Sequence, residues 1–226
     1  MNTIENPKKR DRTKKIILEQ ALCLFEKKGY EAVTMRDLAK SCDSSLGAFY
    51  YHFASKEAIV LELFTASLDG HIERTLKYLE SNKPSLENAM LWICRDRFKE
   101  FTTYQTVLRV LVQRLDPQDP VSPWHSSSQP IREKSVLLFE KLVSLSLSNL
   151  DAKSRRQVAR ALWLQHLLIL GAWSFDRSTN FKQTEVYLKN SARIWKNLSV
   201  WLRVPGIKSL LNLVLAPLER LEKDLT

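Results

Sequence analysis

Apolar residues recur at intervals of three and four through most of this chain, the pattern of helices that each bury one face. Ile17, Ala21, Leu24 and Phe25 form the first stripe and predict a helix over about residues 11–28. Gly29, directly after Lys27 and Lys28, reads as its stop, with cations placed to suit the helix dipole. A second stripe, Ile59, Leu63, Ala66 and Leu68, predicts a long helix over about 56–80. Leu86, Met90, Ile93 and Phe98 mark another, opened by Pro84-Ser85 and reaching about 101. Residues 104–114 are nearly all apolar and predict a short buried helix. Further helices are expected over about 131–148, 151–176 and 182–203. Pro205-Gly206 then breaks the chain before a last amphipathic helix over 207–223. The expected fold class is all-α.

Between the first two stripes lies a stretch of a different kind, residues 34–56. Thr34 followed by Asp37 has the form of a capping box, so a short helix begins at Met35, with Leu38 and Ala39 on its buried side. The turn falls at 41–44, where Asp43 accepts a left-handed backbone more easily than most residues. Ser45 reads as the N-cap of a second short helix that ends near His52, and Ser55-Lys56-Glu57 opens the next. Two short helices across a tight turn are a helix-turn-helix, whose second helix is shaped for the major groove. That helix carries few large side chains needing burial. Gly47 and Ala48 allow close approach to bases, Leu46 and Ala48 suit thymine methyls, and Ser44 and Ser45 suit base edges or phosphate.

Composition sharpens this picture only in part. The chain has 226 residues, 44% hydrophobic, with five glycines and eight prolines, enough apolar surface for a real core and few breaks in its helices. A net charge of +10 suits a polyanion, yet residues 1–60 hold eleven Lys/Arg against eight Asp/Glu, a balance of only +3. What is local is the run Lys8, Lys9, Arg10, Arg12, Lys14, Lys15, readable as a solvated tail or as an arm reaching DNA phosphate. Three scattered cysteines include no CxxC pair, so neither a disulfide nor a metal site is expected. No run of eighteen apolar residues and no leader-like N-terminus is present, and the expectation is a cytoplasmic protein with no membrane partner. No phosphate loop, GxSxG, HExxH or spaced acidic cluster appears, so no catalytic residue and no cofactor is expected.

Residues 13–63 resemble the N-terminal domain of the tetracycline-repressor (TetR) family of bacterial transcription regulators. The residues that carry the likeness are Ile17, Leu18, Ala21, Leu24, Phe25, Gly29, Tyr30, Thr34, Leu38, Ala39, Ser45, Gly47, Tyr50, His52, Phe53, Lys56 and Glu57. Asp43 stands where the family usually has Gly, Ser44 where it has Val, and Leu46 where a polar residue is common. The resemblance implies a helix-turn-helix domain over 1–54, linked through a helix over 55–80 to an effector-binding and dimerisation domain, the whole second part being 55–226. It makes Arg36 a candidate for guanine recognition, and Thr34, Tyr50, Tyr51, His52 and Lys56 candidates for gripping double-stranded DNA phosphate.

One such head binds weakly, and two related by a two-fold axis read a palindrome, so a homodimer is expected. The resemblance implies that the last long helices pair with their copies. Here those carry Leu162, Gln165, Leu168, Ile169 and Ala172 on one and Tyr187, Ile194 and Leu198 on the other. Five of the six tryptophans lie beyond Leu115. Trp163, His166 and Trp173 recur along one helix and suit a cavity for a small apolar or aromatic ligand, with His166 or Gln165 as its polar anchor. The same stripe also fits plain core or dimer interface. The segment 115–130, rich in proline and serine, is expected as a mobile surface loop. The reading that results is a ligand-responsive repressor. An effector-independent regulator, an activator, or a helical protein-interaction module that never touches DNA are its alternatives.

Overall fold

The computed structural model describes residues 7–102, 105–148 and 150–202, with a few positions beyond. Among the described residues the chain is helical, with no strand: α1 (Pro7–Lys28), α2 (Met35–Ser41), α3 (Leu46–His52), α4 (Lys56–Asn82), α5 (Leu86–Phe101), α6 (Gln105–Gln113), α7 (Gln129–Ser146), α8 (Ala152–Phe175) and α9 (Lys182–Trp201). The helix expected over 207–223 falls largely outside those residues.

α1 starts at Pro7, four residues ahead of expectation. Most of the basic run therefore sits on a helix and not on a loose arm. Ile17, Ala21 and Phe25 of α1 meet Leu38 of α2 and Phe49 of α3, all 2% exposed or less. Ile59 and Val60, at the start of α4, close this head from below.

The head does not end in a gap. Its buried cluster runs on into Phe101, Val107 and Leu108 and reaches Trp173 near the end of α8. α4 is the shared element: 27 residues long, capped by Ser55 at one end and by left-handed Lys83 at the other. Its buried side is Ile59, Val60, Phe64, Leu68, His71, Thr75 and Leu79, so two polar residues stand in an apolar stripe. A second core joins α5, α7, α8 and α9 around Met90, Ile93, Phe139, Leu142, Ile169 and Trp195. α8 is long and apolar enough to cross a bilayer, but half of that stretch is buried in this bundle. Asp176 fastens its end to α9 by accepting hydrogen bonds from the N–H and hydroxyl of Thr184, at 2.8 and 2.7 Å.

The proline- and serine-rich segment is folded, contrary to expectation. Short polar side chains bond their own backbone there: Asp116 accepts from Gln118 N–H, Asp119 from Val121 N–H and Ser122 from Trp124 N–H. Such local turns replace the helical ladder that proline forbids. Val121 and Ser122 are buried, and Trp124 packs edge-on against Trp163 with centroids 6.0 Å apart. The low-complexity composition reflects tight turns, and the segment becomes a wall of the body.

Candidate nucleic-acid interface and effector cavity

The head is built by two caps, one left-handed turn and two apolar anchors. Thr34 accepts from Asp37 N–H at 3.1 Å while Asp37 accepts from Thr34 N–H at 2.9 Å, closing the capping box. The Thr34 hydroxyl also donates to the Asp37 carboxylate, and with the Thr34 N–H it holds that carboxyl below its usual pKa. Asp43 then takes φ +49°, which lets Ser44 N–H reach back to the Ala39 carbonyl at 3.0 Å. Ser45 caps α3 by accepting from Ala48 N–H at 3.2 Å. α3 is pinned by Phe49, which is fully buried, and by Leu46, which packs half-buried on the head core.

What remains of α3 faces outward. Gly47, Ala48, Tyr50 and Tyr51 are exposed, the two tyrosines by 48% and 63%, and Ser45 lies beside them. Arg36 is exposed on α2, with no partner among the described residues; Thr34 is exposed and Ser44 half-buried. His52 is half-buried, its ring edge-on to Tyr51 at 5.2 Å.

Lys56 is placed differently. Its ammonium donates to the Tyr30 carbonyl at 2.8 Å and lies 4.4 Å from the centre of the Tyr30 ring. The Tyr30 hydroxyl in turn donates to Glu57 at 2.8 Å, and the Arg114 guanidinium, just past α6, lies 5.1 Å from the centre of the same ring. Burial first, and then the Glu57 carboxylate, push the Tyr30 phenol well above its ordinary pKa. Tyr30 is thus a node joining the α1–α2 loop, α4 and the body. The Lys56 ammonium also reaches the Glu31 carbonyl at 3.5 Å, which leaves one N–H donor for an outside acceptor.

A cavity of about 590 Å³ lies in the body between α4, α5, α6, α7, α8 and the 115–130 wall. It falls within the usual size of small-molecule sites. Leu61, Phe64, Leu68 and His71 give it one side from α4, the same helix that begins under the head. Trp163 and His166 line it as well. Trp173 does not: it is 1% exposed, stacked on Phe98 at 5.3 Å and tilted against Phe181 at 5.3 Å, within the core that runs up to the head. Gln165 is also absent from the lining, because its carbonyl accepts from the Trp195 indole N–H at 2.7 Å and ties α8 to α9.

The polar side of the cavity was not read from the sequence. Arg97 is 6% exposed and donates to Ser67 Oγ at 2.8 Å and Glu100 at 3.0 Å. Arg74 forks Asp96 at 3.0 and 2.9 Å and also reaches Glu100 at 2.8 Å. His71 meets Asp96 at 2.8 Å. The one clue available was His71 itself, a polar residue falling in register with Phe64, Leu68, Thr75 and Leu79. Donor atoms of His71, Asp96 and Glu100 lie within 4.8 Å of one another, but both carboxylates are already held by guanidinium groups, which repel any further cation.

The surface that α8 and α9 offer outward also differs from the residues expected to form it. Leu162 and Ile169 are buried in the protomer's own core, and Leu198 packs partly against it. Leu168, Phe175, Tyr187 and Ile194 are exposed by 41–67%, and Ala172 is exposed as well; Leu168, Ala172 and Phe175 also line the cavity.

Comparison with known proteins agrees with both halves of this geometry. The head matches the family described as bacterial regulatory proteins, tetR family, over residues 17–63. The body matches the tetracyclin repressor-like C-terminal domain over residues 95–213, which is more than half of the chain. The chain belongs to the TetR family. Among its relatives is an uncharacterized HTH-type transcriptional regulator of Bacillus subtilis, YuxN, 44% identical over 62 residues. That match covers 27% of this chain and 21% of the relative, so the likeness is one of the head. A putative TetR-family regulator from Syntrophomonas wolfei superposes with a TM-score of 0.65 at 18% identity, covering 86% of this chain and 98% of the other. FadR of Thermus thermophilus, a TetR-family repressor solved with lauroyl-CoA, superposes with a TM-score of 0.63 at 18% identity, over 81% and 93%. At that identity the likeness establishes the TetR fold alone, helix-turn-helix head and helical body together.

Proposed function

We propose that this TetR-family protein is a ligand-responsive repressor that binds a palindromic operator as a homodimer in the cytoplasm. The observation that carries the reading is α3, which buries Phe49 and part of Leu46 and leaves its other face free. Gly47 and Ala48 bring the backbone close to base edges, with Leu46 beside them, and Arg36 supplies a bidentate contact to guanine. Ser44, Ser45, Thr34, Tyr50, Tyr51 and His52 hold phosphate and fix the register. Lys56 joins them at the start of α4, where free N–H groups also favour an anion.

Residues 1–54 thus read DNA and residues 55–226 sense and dimerise. A second copy covers the outward face of Leu168, Ala172, Phe175, Tyr187 and Ile194. The cavity supports the ligand-responsive part, because α4 forms both its wall and the floor of the head. A ligand that fits better when the heads are wrongly spaced must weaken operator binding by the same coupling energy. FadR of Thermus thermophilus, a repressor holding lauroyl-CoA, is an instance of a ligand in this fold. No cofactor and no catalytic step enters the reading.

Selection of bound duplexes from a random pool tests it. An inverted repeat with half-sites about one helical turn apart is the expected product. Failure to enrich any sequence, or a protein that is monomeric by light scattering, overturns the proposal.

A further inference from the structure

One corner of the cavity is polar, and three of its nitrogens lack partners. His71 from α4, Arg97 from α5 and His166 from α8 line the cavity together. The two imidazoles lie parallel, 9° apart in plane, with centroids at 6.3 Å. Nε2 of each histidine and Nε of Arg97 are buried and without a hydrogen-bond partner. Buried polar atoms are rarely left so, and three on one side of a cavity point to a group that arrives with the ligand.

The chemistry of that group follows from the hydrogen bonds already made. Burial would raise the Asp96 carboxyl, but bonds from His71 and Arg74 outweigh it and hold it down at about 2. Asp96 is therefore an acceptor, and Nδ1 of His71 must be the donor to it. Burial keeps both His71 and His166 neutral at pH 7, with Arg97 and, for His166, the neighbouring His71 adding to the effect. Nε2 of His71 is then a bare acceptor, while Nε of Arg97 is a donor. Charges at this corner cancel as well: Arg74 and Arg97 stand against Asp96 and Glu100. An anionic head group would find these guanidinium groups already paired. A neutral group that donates one hydrogen and accepts another completes the corner and leaves its charge balance undisturbed.

We infer that the cavity takes a neutral hydroxylated ligand, a phenol or alcohol on an apolar body, whose O–H donates to His71 Nε2 and whose oxygen accepts from Arg97 Nε. His166 backs the ring of His71 and lends its own Nε2 to the same head group. Phe64, Phe101, Phe139 and Trp163 supply the apolar and aromatic wall for the body of the ligand. This inference rests on the cavity being the effector site of the proposed repressor.

Its test is a matched series, 4-heptylphenol, heptylbenzene and 4-heptylbenzoate, titrated calorimetrically into the full-length protein at neutral pH. The phenol should bind about tenfold tighter than the hydrocarbon, as one net hydrogen bond allows, and tighter than the benzoate. His71→Phe should erase the preference for the phenol while leaving heptylbenzene affinity within twofold. His166→Phe should shrink it, and because that nitrogen has no partner in the protein the fold should persist, which keeps the test open if His71→Phe fails to fold. Benzoate binding most tightly, phenol no better than hydrocarbon, or no binding by any of the three each overturns the inference. Operator binding is read separately. Phenol binding without operator release refutes the ligand-responsive function alone, and absence of any operator refutes the DNA reading alone.

Discussion

The Arg114 guanidinium lies 5.1 Å from the centre of the Tyr30 ring and pairs with Asp119 at 2.6 Å and with Glu31. This places a residue of the cavity-bearing body on the loop that leads into the helix-turn-helix. Arg114→Ala should therefore loosen the head on the body. The Glu31 pair is largely exposed and contributes little, so a stability loss of about 1 kcal/mol is expected from the ring contact and Asp119. Denaturant unfolding measures that loss. The coupling between ligand and operator binding should fall with it, and unchanged coupling would show that α4 alone carries the signal.

Arg36 and Lys56 should separate when replaced. Arg36→Ala removes a free side chain, so the folded protein keeps its Tm and loses about 1–3 kcal/mol of discrimination at one base pair. Lys56→Ala weakens all sequences alike and lowers the slope of log affinity against log salt by about one. Because Lys56 also holds the Tyr30 carbonyl, its Tm should drop too. Competition binding on single-base operator variants, run beside thermal melts, distinguishes the two.

Gly47 gives a test of close approach to DNA. A methyl group added there meets nothing within 4 Å in the protein. Gly47→Ala should therefore leave stability unchanged or raise it by up to about 1 kcal/mol, since alanine favours the helix. Operator affinity should nonetheless fall at least tenfold. Full affinity in a stable Gly47→Ala protein would mean that α3 stands further from the bases than proposed.

The outward face of α8 and α9 should be separable from the fold. Leu168 is 67% exposed and Ile194 44%, so Leu168→Glu and Ile194→Glu place charge on surface and not in core. Both should yield folded monomers by light scattering and circular dichroism, with operator affinity reduced by 10²-fold or more as bivalence is lost. Leu162→Glu, by contrast, should fail to fold.

Acid should destabilise the body in two stages. His71 and His166 have folded pKa values below 6.5, so the unfolded chain binds more protons and stability falls as pH drops below about 6.5. Asp96, lowered from 3.8 to about 2, adds its loss between those two values. The contribution of all three is fully present above pH 7. Denaturant unfolding across pH 7.5–5 in wild type and His166→Phe checks the first stage, which the variant should show more weakly.

The sequence disclosed the head nearly residue by residue, because its features are local. Thr34 with Asp37, Asp43 in the turn and Ser45 before α3 each act within four residues, and each is found in place. What lay out of reach depends on distant partners. Nothing near Lys56 in sequence announces Tyr30, 26 residues away, and Arg97 reads as a surface charge until Ser67 and Glu100 enclose it. Trp173 and His166 sit on the same helix seven residues apart, yet only the second borders the cavity, since Phe98 of α5 and Phe181 of the α8–α9 turn cover the first. The 115–130 segment misled for the same reason: Val121 and Trp124 are few among prolines and serines, and what they bury against becomes visible only once α8 is beside them.

That segment closes the cavity with Val121, Pro123 and Trp124, all three of which lie between α6 and α7 and outside both helices. Exchanging a few of its residues alters what the protein can admit without touching α3 or the long strut beneath it. In the proposed repressor, choice of inducer and choice of genetic address are thereby lodged in separate short stretches of one polypeptide, each open to retuning while the other stays fixed.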